Sequence, residues 1–168
     1  MERKLLLLGI LRQQEMHGYQ LYEFIERDLS ACTDIKKPTA YYMLNKMAED
    51  GWVTEEETQE GNRPPRKVYS LTEKGEAAFQ RLLHENLTTY STVYFPGDIG
   101  LAFLDSLDAR DALVLLEQRR AALAKSLADL QTAPKHSGSL QLVLEHRARH
   151  LSEELAWLDE VIERLQLK

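Results

Sequence analysis

The sequence predicts a mainly α-helical protein with a small β-hairpin, built as an N-terminal winged helix-turn-helix followed by a C-terminal helical hairpin. Three observations lead to this prediction. Three helical patterns precede two alternating segments around a basic loop, a Pro-Gly pair interrupts the chain at residues 96–97, and two long leucine-rich stretches follow. We expect a DNA-binding domain over residues 1–92 and a dimerisation domain over residues 93–168.

The first two predicted helices are short and amphipathic. Apolar residues recur at helical spacing from about residue 3 to residue 14, at Leu5, Leu8, Ile10 and Leu11. Gly18 marks the start of the second helix, which carries an apolar side made of Leu21, Phe24, Ile25 and Leu29. The apolar run near the N-terminus is too short to span a bilayer, and no small-residue cleavage site follows it. We therefore expect a cytoplasmic protein with no membrane contact.

The third predicted helix covers residues 38–50. Pro38 suits its first turn, where the missing N–H costs no hydrogen bond. Ala40, Leu44 and Met47 recur at steps of four and three, which predicts one buried stripe. Gly51 is a plausible left-handed residue at the helix end.

Two strands and a fourth helix complete the first half. Trp52 and Val53 are expected to begin a strand that runs into the acidic stretch TEEET. The loop QEGNRPP separates it from a return strand, RKVYSL, in which Tyr69 and Leu71 share a face. Thr72 is a good N-cap for the helix that follows, which should extend to about residue 90.

Two long helices are predicted in the second half, joined by a turn that contains Pro134 and Gly138. Such helices form an antiparallel hairpin, and one hairpin alone leaves much apolar surface uncovered. We therefore predict a homodimer. Its interface is assigned to the leucine-rich stripes, at Leu113, Leu116, Leu123, Leu127, Leu151, Leu155, Leu158 and Ile162.

The charge distribution limits how this chain could bind nucleic acid. The net charge of −6 excludes a uniformly basic binder, and the first 90 residues carry 12 Lys and Arg against 15 Asp and Glu. Any DNA contact must therefore come from a local patch, with Glu55, Glu56, Glu57 and Glu60 turned away from phosphate. Candidate contacts at the third helix, on the loop between the strands and at the start of the return strand are Lys36, Lys37, Thr39, Tyr42, Lys46, Arg63, Arg66 and Lys67.

The first half resembles the PadR family of transcriptional regulators. The resemblance rests on His17-Gly18-Tyr19, Thr39, Tyr41, Gly51, Lys67, Tyr69, Leu71-Thr72 and Gly75. It implies a dimeric DNA-binding regulator, usually a repressor, which in many members leaves operator DNA when a small molecule binds. It also adds Tyr41 to the candidate DNA contacts. Where the family commonly has a serine and a glycine before the recognition helix, this chain has Lys36, Lys37 and Pro38.

Aromatic residues suggest where a small apolar or aromatic effector would bind. Trp52 and Trp157 could line a cleft, and Tyr90, Tyr94 and Phe95 precede the Pro-Gly break. Ordinary packing is the alternative interpretation of all five residues, and base rates favour it for the two tryptophans.

Enzyme and metal functions are not expected. The sequence has no glycine-rich phosphate loop and no nucleophile–base constellation, and its single cysteine, Cys32, fits a reducing compartment as a small buried residue. His146 and His150 are spaced for one helix face, but Arg147 and Arg149 beside them disfavour a cation. His17 is expected to cap or pack at a helix junction. No cofactor is expected.

Two other functions stay open from the residues alone. The acidic strand beside the basic loop would suit a winged-helix module that binds proteins without specific DNA binding. A MarR-like regulator would normally have dimerising helices at both ends, whereas this chain starts almost directly with its first helix.

Overall fold

The structure is a computed structural model that describes residues 2–29, 33–59, 66–134 and 136–167. Contacts divide the chain into two compact units, Met1–Thr92 and Val93–Lys168. The chain is mainly helical with one small antiparallel sheet, so the predicted fold class is confirmed. Cys32, Glu60 and Arg63, which entered the sequence predictions, lie outside the described residues. Across the described ranges, no helix is long and apolar enough to cross a membrane.

The first unit has the element order of a winged helix-turn-helix. Its elements are α1 (Glu2–Leu11), β1 (Met16–His17), α2 (Gly18–Asp28), α3 (Lys37–Glu49), β2 (Val53–Thr58), β3 (Arg66–Leu71) and α4 (Glu73–Thr88). The three strands are antiparallel in the order β1-β3-β2.

The sheet differs from the sequence prediction at two points. A third strand, β1, pairs with β3 through Met16 opposite Tyr69 and His17 opposite Val68. Two residues are too few to show an alternating pattern, which is why the sequence indicates only a hairpin. The prediction that a strand begins at Trp52 is wrong. The corresponding strand, β2, starts at Val53, and Trp52 lies in the bend between α3 and β2.

The core of the first unit buries the predicted helical stripes. Ala40, Leu44 and Met47 of α3 are all buried, and Leu44 and Met47 have no exposed surface. They join a cluster that contains residues from α1, α2, β3 and α4, among them Leu7, Leu8, Leu21, Ile25, Tyr69 and Leu82. Burying large apolar side chains is the main stabilising term in such a unit, at roughly 1.5–3 kcal/mol each.

Thr72 connects the end of α3 to the start of α4. Gly51 adopts a φ of 73°, the left-handed conformation that glycine accepts without a steric penalty. The Thr72 hydroxyl accepts a hydrogen bond from the Gly75 N–H at 3.0 Å, as predicted for an N-cap, and donates toward the carbonyl of Gly51 at 2.8 Å. The backbone N–H of Thr72 donates to the carbonyl of Trp52 at 3.1 Å. These bonds fix the sheet and α4 against the same turn.

The second unit is a helical hairpin preceded by two short elements. Its elements are α5 (Gly97–Ala102), a 3₁₀ turn (Leu104–Ser106), α6 (Ala109–Thr132) and α7 (Ser139–Gln166). Asp108 caps α6, because its carboxylate accepts from the backbone N–H groups of Arg110 and Asp111 at 3.0 and 2.9 Å. Ion pairs of Arg119 with Glu154 and of Arg120 with Asp159 join α6 to α7.

The leucine stripes meet each other inside one chain. Leu116, Leu158 and Ile162 form the buried seam between α6 and α7, and Leu113 and Leu123 pack against it. Leu158 has no exposed surface, so it cannot lie at a contact with a second subunit while the hairpin is closed. Five residues of the predicted interface stay half-buried, at Leu113, Leu123, Leu127, Leu151 and Leu155.

Candidate nucleic-acid interface and ligand pocket

The outer face of α3 carries most of the predicted DNA contacts. Lys36, Lys37, Tyr42 and Lys46 are exposed, and Tyr42 has 70% of its surface accessible. Thr39 is half-buried. Lys36 is the N-cap residue, and its side chain makes no capping hydrogen bond. The buried stripe of α3 faces the core, and this fixes the rotation of the helix about its own axis. The side chains on the outer face therefore point away from the core and are accessible to a binding partner.

Tyr41 differs from the other predicted contacts because it packs inside the first unit. It is half-buried against Gly18, where an added Cβ would lie 2.7 Å from a Tyr41 ring carbon. Burial raises the pKa of Tyr41, and the charge of Glu23 adds to the shift. Tyr41 therefore positions α3 against the start of α2.

Two of the lysines on α3 already have partners in the first unit. Lys46 binds Glu49 at 2.9 Å, and this hydrogen bond raises the pKa of Lys46. Lys37 lies over the ring of Tyr22, with Nζ 6.0 Å from the ring centre. An exposed ion pair three residues apart adds little to stability, so a phosphate can displace Glu49 at small cost.

Arg66, at the start of β3, is fixed against the start of α2. Its guanidinium lies 5.1 Å from the ring centre of Tyr19, and one of its N–H groups donates to the Tyr19 hydroxyl at 3.4 Å. The His17 ring also stacks with Tyr19, and the two ring centres are 5.6 Å apart. Tyr19 is absent from the predicted contacts, because only the pairing of β1 with β3 brings it beside Arg66.

The acidic residues of β2 are partly neutralised by β3. Lys67 binds Glu55 at 2.6 Å, and Glu57 lies directly opposite Lys67 in the strand register. Glu56 pairs with Val68, so it points to the opposite face of the sheet from Glu55. The repulsion of phosphate that the sequence indicates is therefore reduced on the Glu55 face.

Asn45 is a second residue that the sequence prediction omitted. It is exposed on α3, and its amide oxygen accepts a hydrogen bond from the Tyr69 hydroxyl at 3.3 Å. Burial, followed by the charge of Glu55, raises the pKa of Tyr69 to about 12, so this hydroxyl remains a donor at neutral pH. The bond orients the Asn45 amide so that its NH₂ group points away from Tyr69 and is available to an acceptor.

The predicted effector residues fall into two groups. Trp52 packs beside the core of the first unit, with Lys4 Nζ 4.5 Å from its ring centre. Tyr90 and Tyr94 are 88% and 86% exposed. Phe95 and Trp157 line a cavity in the second unit.

This cavity has a volume of about 300 Å³ and mixed aromatic and charged walls. Its lining is formed by Phe95, Asp98, Arg119, His150, Glu153, Glu154 and Trp157. Phe95 and His150 stack with ring centres 5.4 Å apart, and Arg119 binds Glu154 at 2.6 Å. The charged residues of the lining lie on α5, α6 and α7. No local sequence pattern indicates that these three helices lie close together.

The three histidines considered in the sequence, His17, His146 and His150, each lie in a different environment. The buried Nδ1 of His17 has no hydrogen-bond partner among the described residues, while its backbone N–H donates to Gln20 at 3.2 Å at the start of α2. His146 is exposed, and His150 stacks on Phe95. Within the described part of the chain, no three histidine, cysteine or carboxylate side chains are grouped as a metal site would require.

Comparisons with known proteins agree with this architecture. The sequence model described as "Transcriptional regulator PadR-like family" matches residues 7–81, and the one described as "Virulence activator alpha C-term" matches residues 100–166. The negative transcriptional regulator PadR of Bacillus subtilis (strain 168) is 26% identical over 128 residues, which are 76% of this chain and 70% of that protein.

Solved structures show the same fold over nearly the whole chain. Bacillus subtilis PadR in complex with operator DNA aligns with a TM-score of 0.85 at 24% identity, covering 98% of this chain and 99% of that one. The same protein in complex with p-coumaric acid aligns with a TM-score of 0.78 at 23% identity, covering 97% and 94%. The resemblance noted in the sequence is confirmed.

Proposed function

Since the chain belongs to the PadR-like family of transcriptional regulators, we propose that it binds operator DNA as a homodimer and represses the genes beside that operator. The family is one of regulators and not of enzymes, in agreement with the sequence prediction. A small molecule bound in the second unit relieves the repression.

The observation that carries this proposal is the exposed basic face of α3 beside the sheet. Lys36, Lys37, Tyr42 and Lys46 stand on a helix whose opposite stripe is fully packed. A helix of this kind enters the major groove with residues near its N-terminal end against the bases. A protein of the same fold, Bacillus subtilis PadR, has been crystallised with operator DNA.

Roles can be assigned within this interface. Lys36, Lys37 and Lys46 attract phosphate, and Thr39 and Tyr42 offer hydroxyl groups to phosphate or base edges. Arg66 and Lys67 hold the backbone next to the groove, while Tyr41 supports α3 from behind. Arg63 belongs to the same proposal but lies outside the described residues.

A dimer is supported by the apolar surface that one hairpin leaves open. Val114, Leu115 and Leu142 are 49%, 51% and 65% exposed on α6 and α7. A second copy would cover these side chains together with the half-buried leucines of the predicted interface. Two α3 helices related by a two-fold axis would then meet successive major grooves about 34 Å apart.

Activation is the second candidate, because residues 100–166 match a family described as the C-terminal part of a virulence activator. The relative found for residues of both units is described as a negative regulator, which favours repression. A reporter gene under the selected operator separates the two, since deletion of a repressor raises expression and deletion of an activator lowers it.

The proposal is tested by asking which DNA the purified protein selects. We expect it to enrich specific genomic fragments, to bind them in a titration at moderate salt, and to lose affinity steeply as salt rises. A protein-interaction module would shift no fragment above the level of random duplex at the same salt. That result would contradict the proposed function.

Asn45 and Tyr69 provide a finer test of the interface. If Tyr69 orients the Asn45 amide toward DNA, Tyr69→Phe should weaken operator binding about three- to tenfold, as expected for one lost orienting hydrogen bond. Asn45→Ala should weaken it at least as much. The double variant should be no weaker than Asn45→Ala alone, since the two residues act through one contact. Equilibrium titrations of the four proteins measure this coupling, and additive effects would contradict it.

A further inference from the structure

We propose that the effector is an organic cation, an arylalkylammonium or quaternary ammonium ion, and that it binds in the cavity between Phe95 and Trp157 within the second unit. This inference rests on the proposed function and names the chemical class of its ligand. Three observations support it: the aromatic walls of the cavity, the pairing of the charged side chains that line it, and the position of Phe95 close to the end of the first unit.

The aromatic walls are accessible to a ligand. Phe95 and Trp157 are 42% and 43% exposed. Burying aromatic side chains of this size is favourable, so a ligand that covers them gains binding free energy. One side of the Phe95 ring is already stacked on His150. A ring or an ammonium group placed between Phe95 and Trp157 would cover both, and a cation over an indole face is stabilised by about 0.5–2 kcal/mol.

The charges of the lining favour a cation. Arg119 and Glu154 neutralise each other through their 2.6 Å contact. Asp98 and Glu153 line the same space without an ion pair to any described side chain. The cavity lining therefore has two carboxylates that no ion pair compensates, and these attract an ammonium group and repel a carboxylate ligand.

The position of Phe95 suggests how binding reaches the first unit. Phe95 lies three residues beyond Thr92, where the first unit ends, and its carbonyl accepts from the Asp98 N–H at 3.0 Å. Arg119 also donates to the Gly97 carbonyl at 3.4 Å. A ligand that contacts Phe95 and Asp98 would restrict the segment that joins the units, and so change the operator affinity through differential binding to two states.

The experiment compares three probes that share a skeleton and differ in charge: phenylpropylammonium, phenylpropanol and phenylpropanoate. The chain has two tryptophans, so a Trp52→Phe background reports Trp157 fluorescence alone. We expect saturable quenching by the ammonium at about tenfold lower concentration than by the alcohol, and none by the carboxylate. Equal or tighter binding of the carboxylate, or no saturable quenching by any probe, would overturn the inference.

Substitutions test whether Glu153 causes the preference for the ammonium over the alcohol. Glu153→Gln should reduce the preference for the ammonium over the alcohol while the alcohol still binds. Glu163→Gln, on the same helix but outside the lining, is the matched control and should leave the preference unchanged. Because Glu153 and Glu163 are both exposed, neither substitution is expected to unfold the hairpin. An unchanged preference in Glu153→Gln would contradict the assignment. Calorimetry with Trp157→Leu should detect no binding of either probe.

Operator binding is measured separately, so that the two hypotheses fail in different ways. In the wild type, the ammonium should weaken operator binding, and Trp157→Leu should abolish this effect. If no duplex binds without ligand, the proposed function is wrong, while the fluorescence titrations still decide the ligand class. If operator binds and the ammonium does not bind to the cavity, only the ligand class is wrong.

Discussion

Replacing Lys36, Lys37 and Lys46 together by glutamate is expected to abolish operator binding while the protein stays folded. In a homodimer the three substitutions invert six charges that face phosphate, so the attraction is replaced by repulsion. We expect affinity to fall by at least about a hundredfold and the residual binding to lose most of its salt dependence. This is the largest functional effect that the structure predicts.

Folding should be nearly unaffected, because the local effects of the three substitutions oppose one another. All three side chains are exposed. Glutamates at positions 36 and 37 would lie at the N-terminal end of α3, where negative charge is favourable by a few tenths of a kcal/mol. At position 46 the pair with Glu49 would be lost and a repulsion gained, at a similar cost.

Titration of labelled operator at several salt concentrations measures the effect, and thermal unfolding followed by circular dichroism verifies the fold. A matched control reverses three exposed basic residues on α4 and α6, Arg81, Arg110 and Lys125, and should retain operator affinity within a fewfold. If the α3 variant bound its operator normally, α3 would not be the recognition helix.

Gly75→Ala is expected to be the most destabilising single substitution of a small residue in the first unit. An added Cβ would lie 2.0 Å from the Trp52 carbonyl oxygen and 2.7 Å from a Leu71 side-chain carbon. The Trp52 carbonyl accepts a hydrogen bond from the backbone N–H of Thr72, so it cannot simply move away. We expect a loss of about 3 kcal/mol or more in the free energy of unfolding.

The sign of this effect is informative, because helix propensity alone predicts the opposite. Alanine is about 1 kcal/mol better than glycine inside a helix. Gly100→Ala, in α5, is the matched control, since nothing lies within 4 Å of the added Cβ and a neutral or slightly stabilising effect is expected. Urea unfolding gives both values. An unchanged midpoint for Gly75→Ala would contradict the close packing of α4 on the bend at Trp52.

The parts of the fold that follow from local patterns could be predicted from the sequence. The stripe of Ala40, Leu44 and Met47 identifies the buried side of α3, because spacing alone decides which side chains share a helix face. Gly51 and Thr72 mark the end of α3 and the start of α4 for similar local reasons. These features depend on residues a few positions apart.

The parts of the fold that depend on long-range contacts could not be predicted from the sequence. The leucine stripes of α6 and α7 predict burial, but their spacing does not say whether the covering surface belongs to the same chain or to a second one. The structure places Leu116, Leu158 and Ile162 in the seam within the chain. The contacts of Asn45 with Tyr69 and of Arg66 with Tyr19 likewise arise from strand pairing and not from sequence proximity.

The mass of the protein–operator complex, measured by analytical ultracentrifugation on a selected duplex, decides whether two copies bind one operator. We expect two chains per duplex, and a large loss of affinity when about five base pairs, half a helical turn, are inserted between the half-sites. The insertion would place the second recognition helix on the wrong side of the duplex. A single chain bound per duplex, with an affinity that the insertion leaves unchanged, would mean that the protein does not bind its operator as a homodimer.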